Sequence, residues 1–237
     1  MREPLFTVII PTLNAAAKLP MTLESVLHQD FADFELLIVD GGSSDATAEA
    51  VAAFSSDSRL RCDSRPDDGI YASMNRGIGL ARGRFLYFLG AGDSLNPSVL
   101  REVAAILPPA GKSLVYGNVL FPDGSIYDRD FWPGKFQLRN ICHQAIFYEH
   151  TLFGGGRFET KYRTWADWVF NMKCFGDRSV AKLYIDKVIA RYEGGGVSSR
   201  GPDPIFLAEH AQLVRQHLGL GQYAKFIAKA AWKRAFP

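Results

Sequence analysis

The sequence predicts an α/β fold built on a mostly parallel central sheet flanked by helices. Three features predict it. Thr7-Val8-Ile9-Ile10-Pro11-Thr12-Leu13-Asn14 is a short apolar run that breaks into a polar turn. Leu19 to Gln29 follows with helical patterning. Phe34-Glu35-Leu36-Leu37-Ile38-Val39 is a second apolar run, and it ends on Asp40-Gly41-Gly42-Ser43-Ser44-Asp45. Two buried strands joined by a helix form a βαβ unit, and such units build parallel sheets. Ligands of open α/β sheets sit at the carboxyl ends of the strands. Thr12, Asn14 and Asp40 stand at those ends, so they are expected to face one crevice.

The pattern continues along the first half. Ser43-Ser44-Asp45 reads as a helix start, with Ala46 to Phe54 as the helix. Ile70 to Ala81 is a further helix, closed by Gly83. Arg84-Phe85-Leu86-Tyr87-Phe88-Leu89 is a buried strand that ends in Gly90-Ala91-Gly92-Asp93. Asn96-Pro97-Ser98 opens a helix to about Leu107, with proline in its first turn. Leu114 to Phe121 is a strand, and Asp123-Gly124 signals a hairpin turn. The second half is less regular. Ala145-Ile146-Phe147-Tyr148 reads as a strand, Trp165 to Phe175 as a helix, Val180 to Tyr192 as extended chain. Ile205 to Leu218 and Gln222 to Ala235 are helical. Gly194-Gly195-Gly196, with Ser198 and Ser199, is a flexible connector or a lid.

Composition narrows the function. The 237 residues can bury one substantial core, and 47% hydrophobic with 22% charged residues is ordinary for an enzyme. A net charge of +2 gives no case for a nucleic-acid partner. Cys62, Cys142 and Cys174 are scattered, which suits a reducing cytosol better than a disulfide or zinc framework. No signal peptide is read at Met1-Arg2-Glu3-Pro4, and no run approaches the ~18 apolar residues of a membrane span. The turn at Pro11-Thr12-Leu13-Asn14 lacks the glycines of a dinucleotide-binding fold, and no P-loop is present, which argues against an oxidoreductase.

Several polar residues carry two readings. Asp40 accepts hydrogen bonds from a ligand, or caps a helix near Ser44, a task that suits Asp45 better. Thr12 and Asn14 are ligand contacts or turn residues. Asp68 reads by itself as the N-cap of the helix at Ile70, and Asp93 as a cap on the turn before Pro97. Asp167, between Trp165 and Trp168, reads as an N-cap of the helix that follows. The tryptophans offer apolar surface that would desolvate the carboxylate and raise its pKa. His143 with Gln144 is a cleft contact or a structural pair.

The motifs together resemble glycosyltransferase family 2, whose members are inverting enzymes with a GT-A fold that use nucleotide-sugar donors. The matching pieces are Ile9 to Asn14, Ser25-Val26-Leu27-His28-Gln29, Glu35 to Thr47 and Asp68-Gly69-Ile70-Tyr71-Ala72-Ser73-Met74-Asn75-Arg76-Gly77-Ile78. They continue with Ala81-Arg82-Gly83, Phe88 to Asp93, His143-Gln144-Ala145 and Ala166-Asp167-Trp168. In order and spacing they cover residues 6 to 198, and they look most like the branch that builds bacterial capsule, exopolysaccharide or O-antigen.

The resemblance implies roles. One glycosyltransferase domain spans 1–237, with a nucleotide-sugar half over about 5–115, an acceptor half over about 116–200 and a helical tail from about 204. Thr12, Asn14, Asp40, Asp68, Asn75, Arg76 and Asp93 would bind the donor, a UDP-sugar by preference. Asp167 would be the base, and His143, Gln144 and Trp168 would contact acceptor or diphosphate. The family usually holds Mn²⁺ or Mg²⁺ on a DXD motif, whose aspartates are here Gly90 and Gly92, leaving Asp93 as the metal candidate. That departure motivates an alternative, a non-catalytic nucleotide-sugar-binding or assembly subunit. The acceptor would be a glycan or a lipid-linked sugar. Lys225, Lys229 and Lys233 share one face of the last helix, which suits either a solvated surface or peripheral contact with the inner face of the cytoplasmic membrane.

Overall fold

A computed structural model describes residues 3–127, 130–195 and 201–235. Among them nine strands form one sheet, in the order β3-β2-β1-β4-β8-β6-β9-β5, with β7 paired to β6. The first four are β1 (Phe6–Thr12), β2 (Phe34–Asp40), β3 (Leu60–Ser64) and β4 (Phe85–Phe88), all mutually parallel. The others are β5 (Ser94–Leu95), β6 (Ser113–Leu120), β7 (Ile126–Tyr127), β8 (Ile146–Glu149) and β9 (Ala181–Arg191). β8 runs antiparallel to both β4 and β6, and β9 returns parallel to β6.

Seven helices cover this sheet among the described residues: α1 (Leu19–Leu27), α2 (Thr47–Ala52), α3 (Ile70–Leu80), α4 (Val99–Ala104), α5 (Ala166–Gly176), α6 (Pro204–Leu218) and α7 (Leu220–Ala235). β1 and β2 are buried at every residue because both faces are covered, which is why they read as continuous apolar runs. Phe6, Val8 and Ile10 pack with α1 and α4 through Leu19, Leu23, Val99 and Val103. Ile9, Leu37 and Val39 face the other way, towards Tyr71, Met74 and Ile78 of α3 and the aromatic core of α5 and α6.

The Ser43-Ser44-Asp45 stretch does precede a helix: α2 begins at Thr47, whose N–H donates to Asp45 Oδ1 (3.1 Å), while the serines bond to Asp40 and Asn14. The start of α4 differs from expectation. Pro97 lies before α4 rather than in its first turn, because Ser98 takes a left-handed conformation (φ 64°) that resets the chain direction. Asp123-Gly124 does form the β6–β7 hairpin, with Gly124 at φ 81°.

At the amino ends of the strands a polar knot fixes β1 against β2 and β4. Buried Glu35 accepts bonds from Thr7 Oγ1 (2.8 Å), the Arg82 backbone N–H (2.7 Å) and Arg61 (2.6 Å). Thr7 Oγ1 in turn accepts from the Gly83 N–H at 2.8 Å. That bond draws Gly83 so close that a Cβ there would lie 2.4 Å from the Thr7 nitrogen. Backbone cannot yield as a side chain can. Gly83→Ala is therefore expected to destabilise the fold by about 1–3 kcal/mol, read as a lowered midpoint in urea unfolding.

Candidate active site

The carboxyl ends of β1, β2 and β4 open into a cleft of about 1380 Å³, closed on the far side by the segment 137–144, the start of α5 and Gly194-Gly195. Thr12, Asn14, Asp68, Asp93, His143, Gln144, Asp167 and Trp168 all line it. Sequence positions more than a hundred residues apart thus meet on one surface.

Asp40 stands beside Thr12 in register but behind the lining. It is buried, and its carboxylate accepts from Ser43 Oγ (2.5 Å), Ser64 Oγ (2.6 Å) and the Ser43 N–H. Burial pushes its pKa up, but those bonds more than offset this and hold it below the ordinary carboxylate value. Asp40 therefore stays charged and pins the strand ends that shape the cleft. Asn14, at φ 49°, accepts from the Ser44 N–H (2.8 Å) and so fixes the loop after β1.

Asn75 and Arg76 are not brought into the cleft, contrary to expectation. Helical spacing turns Tyr71 and Met74 of α3 to the lining. Asn75 instead clasps the Phe158 backbone with both ends of its amide (2.8 and 3.0 Å). Arg76 donates to the carbonyls of Asp40 (2.6 Å) and Arg65 (2.9 Å) and pairs with Asp63 (3.0 Å) and Asp67 (3.4 Å). Its charge is used in bracing β2 and β3. Asp68 is exposed and caps nothing; the residue before α3 is Gly69 at φ 110°, whose N–H bonds to Asp67.

Asp167 is 5% exposed, in the first turn of α5. Asn140 Nδ2 donates to its Oδ2 at 2.8 Å. The Tyr71 hydroxyl lies 2.7 Å from Oδ1 and 2.7 Å from the Thr164 carbonyl, so its single proton serves one acceptor at a time. Behind this pair, Asn171 Nδ2 donates to Asn140 Oδ1 (2.9 Å), and Tyr148 of β8 donates to Asn171 Oδ1 (2.7 Å). A buried polar chain thus runs from the sheet to the cleft wall. Burial pushes the Asp167 pKa up to about 6, against the lowering effect of the Tyr71 and Asn140 bonds. Trp168 is locked by its Nε1–H to the Phe136 carbonyl (3.0 Å) and packs on Phe206.

Asp93 is buried at the β4 end. Gln144 Nε2 donates to its Oδ2 (2.7 Å), and the Glu193 N–H to its Oδ1 (3.0 Å). Burial raises its pKa despite these bonds. Burial also lowers the His143 pKa to about 4, so this imidazole is neutral near pH 7. No three His, Cys, Asp or Glu side chains among the described residues stand together so as to hold a metal ion. Asp93 is the one carboxylate of this turn, and both its oxygens are already bonded within the protein, a poor fit to a divalent cation held between a carboxylate and donor phosphates.

Gly194 and Gly195 line the cleft, while Gly196, Ser198 and Ser199 lie outside the described residues. Sequence reasoning passed over Tyr71, Asn140 and Lys18. Tyr71 sits inside a recognised motif but is given no role of its own there. Asn140 lies in an irregular stretch. Lys18, just before α1, carries no motif signal at all.

Comparison with known proteins agrees with this geometry. A family model described as glycosyl transferase family 2 matches residues 7–174. A PGL/p-HBAD biosynthesis glycosyltransferase of Mycobacterium bovis is 44% identical over 219 residues, covering 87% of this chain and 84% of that protein. The Escherichia coli UDP-Glc:alpha-D-GlcNAc-diphosphoundecaprenol beta-1,3-glucosyltransferase WfgD is 33% identical over 153 residues, covering 64% and 56%. Among solved structures, Staphylococcus aureus TarS 1–349 with UDP-GlcNAc superposes with a TM-score of 0.75 at 21% identity, covering 90% of this chain and 66% of that one. The chain belongs to glycosyl transferase family 2 and is a glycosyltransferase enzyme.

Proposed function

We propose that this glycosyltransferase moves a sugar from a nucleoside-diphosphate sugar, a UDP-sugar by preference, to a glycan or lipid-linked sugar with inversion at the anomeric carbon. The observation that carries it is the Asp167 carboxylate, buried at the cleft wall between Tyr71 and Asn140. In one displacement the acceptor hydroxyl oxygen bonds to the anomeric carbon as the bond to the diphosphate breaks. The proton goes to Asp167, and the electron pair leaves with the nucleoside diphosphate. A base with a pKa of about 6 is ionised at neutral pH yet basic enough to take that proton as the bond forms. Thr12, Asn14 and Asp68 are available to the donor on the strand-end side, with Asp40 as the brace behind them. The solved relative carrying UDP-GlcNAc and the relative named for UDP-Glc support a uridine donor.

The acceptor is proposed to sit at or near a membrane on the cytoplasmic side, in line with the undecaprenol-linked acceptor named for the Escherichia coli relative. No helix among the described residues is long and apolar enough to cross a membrane. α7 docks through Tyr223 and Phe226 and turns Leu220, Ile227 and Trp232 outward, 68%, 42% and 62% exposed. Exposed Lys225 and Lys229 flank them, a composition suited to an anionic lipid surface.

Asp167→Asn should lose transfer by at least about a thousandfold while binding UDP like the parent in calorimetry; near-normal turnover would remove the base assignment. In the parent, kcat should fall about tenfold per pH unit below a pKa of about 6. The folded pKa lies above the unfolded 3.8, so ionisation costs the fold stability as pH rises from 3.8 to about 6. Asp167→Asn should therefore melt no lower than the parent at pH 8. Tyr71→Phe removes a bond that lowers this pKa, so the acid limb of its rate profile should move to higher pH. Lys225→Glu with Lys229→Glu should reduce co-sedimentation with phosphatidylserine vesicles; unchanged sedimentation would end the membrane reading.

A further inference from the structure

The turn after β4 is shaped around two side chains that leave no room for a second carboxylate. A Cβ on Gly90 would stand 2.6 Å from Asp93 Oδ2 and 3.9 Å from Gln144 Nε2. A side chain there requires Asp93 Oδ2, and with it the Asp93–Gln144 bond, to shift. Gly92 has φ 110°, which favours glycine, and a Cβ there would lie 3.1 Å from Lys18 Cδ. The stem of Lys18 thus lies across Gly92. Its ammonium reaches the opposite rim, 3.9 Å from where a Cβ on Gly195 would be. Gly90, Lys18 and Gly195 all line the cleft.

Charge points the same way. Lys18 is close enough to Asp93 to lower the latter's pKa electrostatically. Among the described residues, the other Lys and Arg side chains of the lining are Arg139 and Arg163, both from the second half; Arg139 stacks 3.9 Å over the Tyr127 ring. Among the described residues of the lining, Lys18 is the one Lys or Arg on the strand-end side, where the donor is proposed to lie. Asp93 spends both oxygens on Gln144 and Glu193 and is largely desolvated. It offers a divalent cation one crowded carboxylate, where Mg²⁺ would keep near-octahedral oxygen coordination.

We infer that the Lys18 ammonium contacts the diphosphate of the donor, and that this enzyme binds its donor without a divalent cation. The inference rests on the donor reading of the cleft. As the bond from the anomeric carbon to the diphosphate oxygen breaks, the leaving group gains negative charge. A tethered ammonium at that oxygen stabilises the charge with no proton transferred. Asp93 then acts through Gln144 and Glu193, holding the turn open for the lysine stem.

The test is calorimetry on the full chain with UDP, GDP, dTDP and uridine, in EDTA and in excess Mn²⁺. UDP is expected to bind with the same Kd in both buffers. Lys18→Ala should weaken UDP by about tenfold or more, leave uridine unchanged and keep the parental melting temperature. Lys18→Arg should recover most of the UDP affinity. UDP binding that requires Mn²⁺, or that Lys18→Ala leaves intact, overturns the inference and spares the donor reading. Failure of all three diphosphates to bind in either buffer overturns the donor reading and this inference with it.

Discussion

The site is organised by one carboxylate that is removed from water and kept from neutralising permanently. Asp167 is driven towards its protonated form by burial and pulled back by two hydrogen bonds from different parts of the chain. Tyr71 arrives on α3, whose place is set by the β1–β2 face of the sheet. Asn140 arrives on irregular chain and is held through Asn171 by Tyr148 of β8. The balance therefore couples the parallel half of the sheet to the mixed half. Loosening either side would leave a buried charge with too few donors, which is costlier than leaving a neutral group unpaired. The aromatic packing of Trp168 with Trp165 and Phe206 keeps the region dry enough for the balance to matter.

The donor side follows another rule. There the polar residues of the family motifs are largely spent on backbone. Asp40 ties the turn after β2 to Ser64 at the end of β3, Asn14 ties the turn after β1 to Ser44, and Arg76 closes on the Asp40 carbonyl. Parallel strands end in loops with many unpaired carbonyls and N–H groups, and a rigid crevice needs those satisfied. Motif residues can thus recur because they build the crevice, with ligand contact left to whatever the finished loops present.

This explains what the sequence discloses and what it hides. The β1 and β2 runs are legible because burial on both faces makes them apolar at every position but Thr7 and Glu35, near their starts, and the polar residues that end them. Helices α3, α5 and α6 are legible to within a residue or two because their apolar spacing is long. The rotation of a helix about its axis is less so. Asn75 and Arg76 belong to a family motif, yet α3 turns them to Phe158 and to the ends of β2 and β3. The start of α4 is misread because Ser98 adopts a left-handed conformation for which serine gives no signal. Asn140 acquires its meaning only from Asn171 and Asp167, residues about thirty positions away that local pattern cannot connect. Lys18 is legible only through Gly92, more than seventy residues distant, whose missing Cβ gives its stem a path.

The two ends of the cleft can then be understood from where charge must travel. In the proposed reaction one unit of negative charge moves from Asp167 to the departing diphosphate. Asp167 begins as the anion in surroundings that disfavour it, so giving up its charge to a proton relieves a cost already present in the resting enzyme. On the proposal Lys18 stands where the charge arrives, its stem lying against Gly92. Asp93 sits between them in sequence and close to Lys18 in space, but its burial and its bonds to Gln144 and Glu193 keep it from competing for either task. A carboxylate at position 90 would add a negative charge where negative charge has to accumulate, and without a cation to cancel it that charge would oppose the reaction. The glycines of the turn are on this account a requirement of the lysine, as the aspartates of a metal-binding turn are a requirement of the metal.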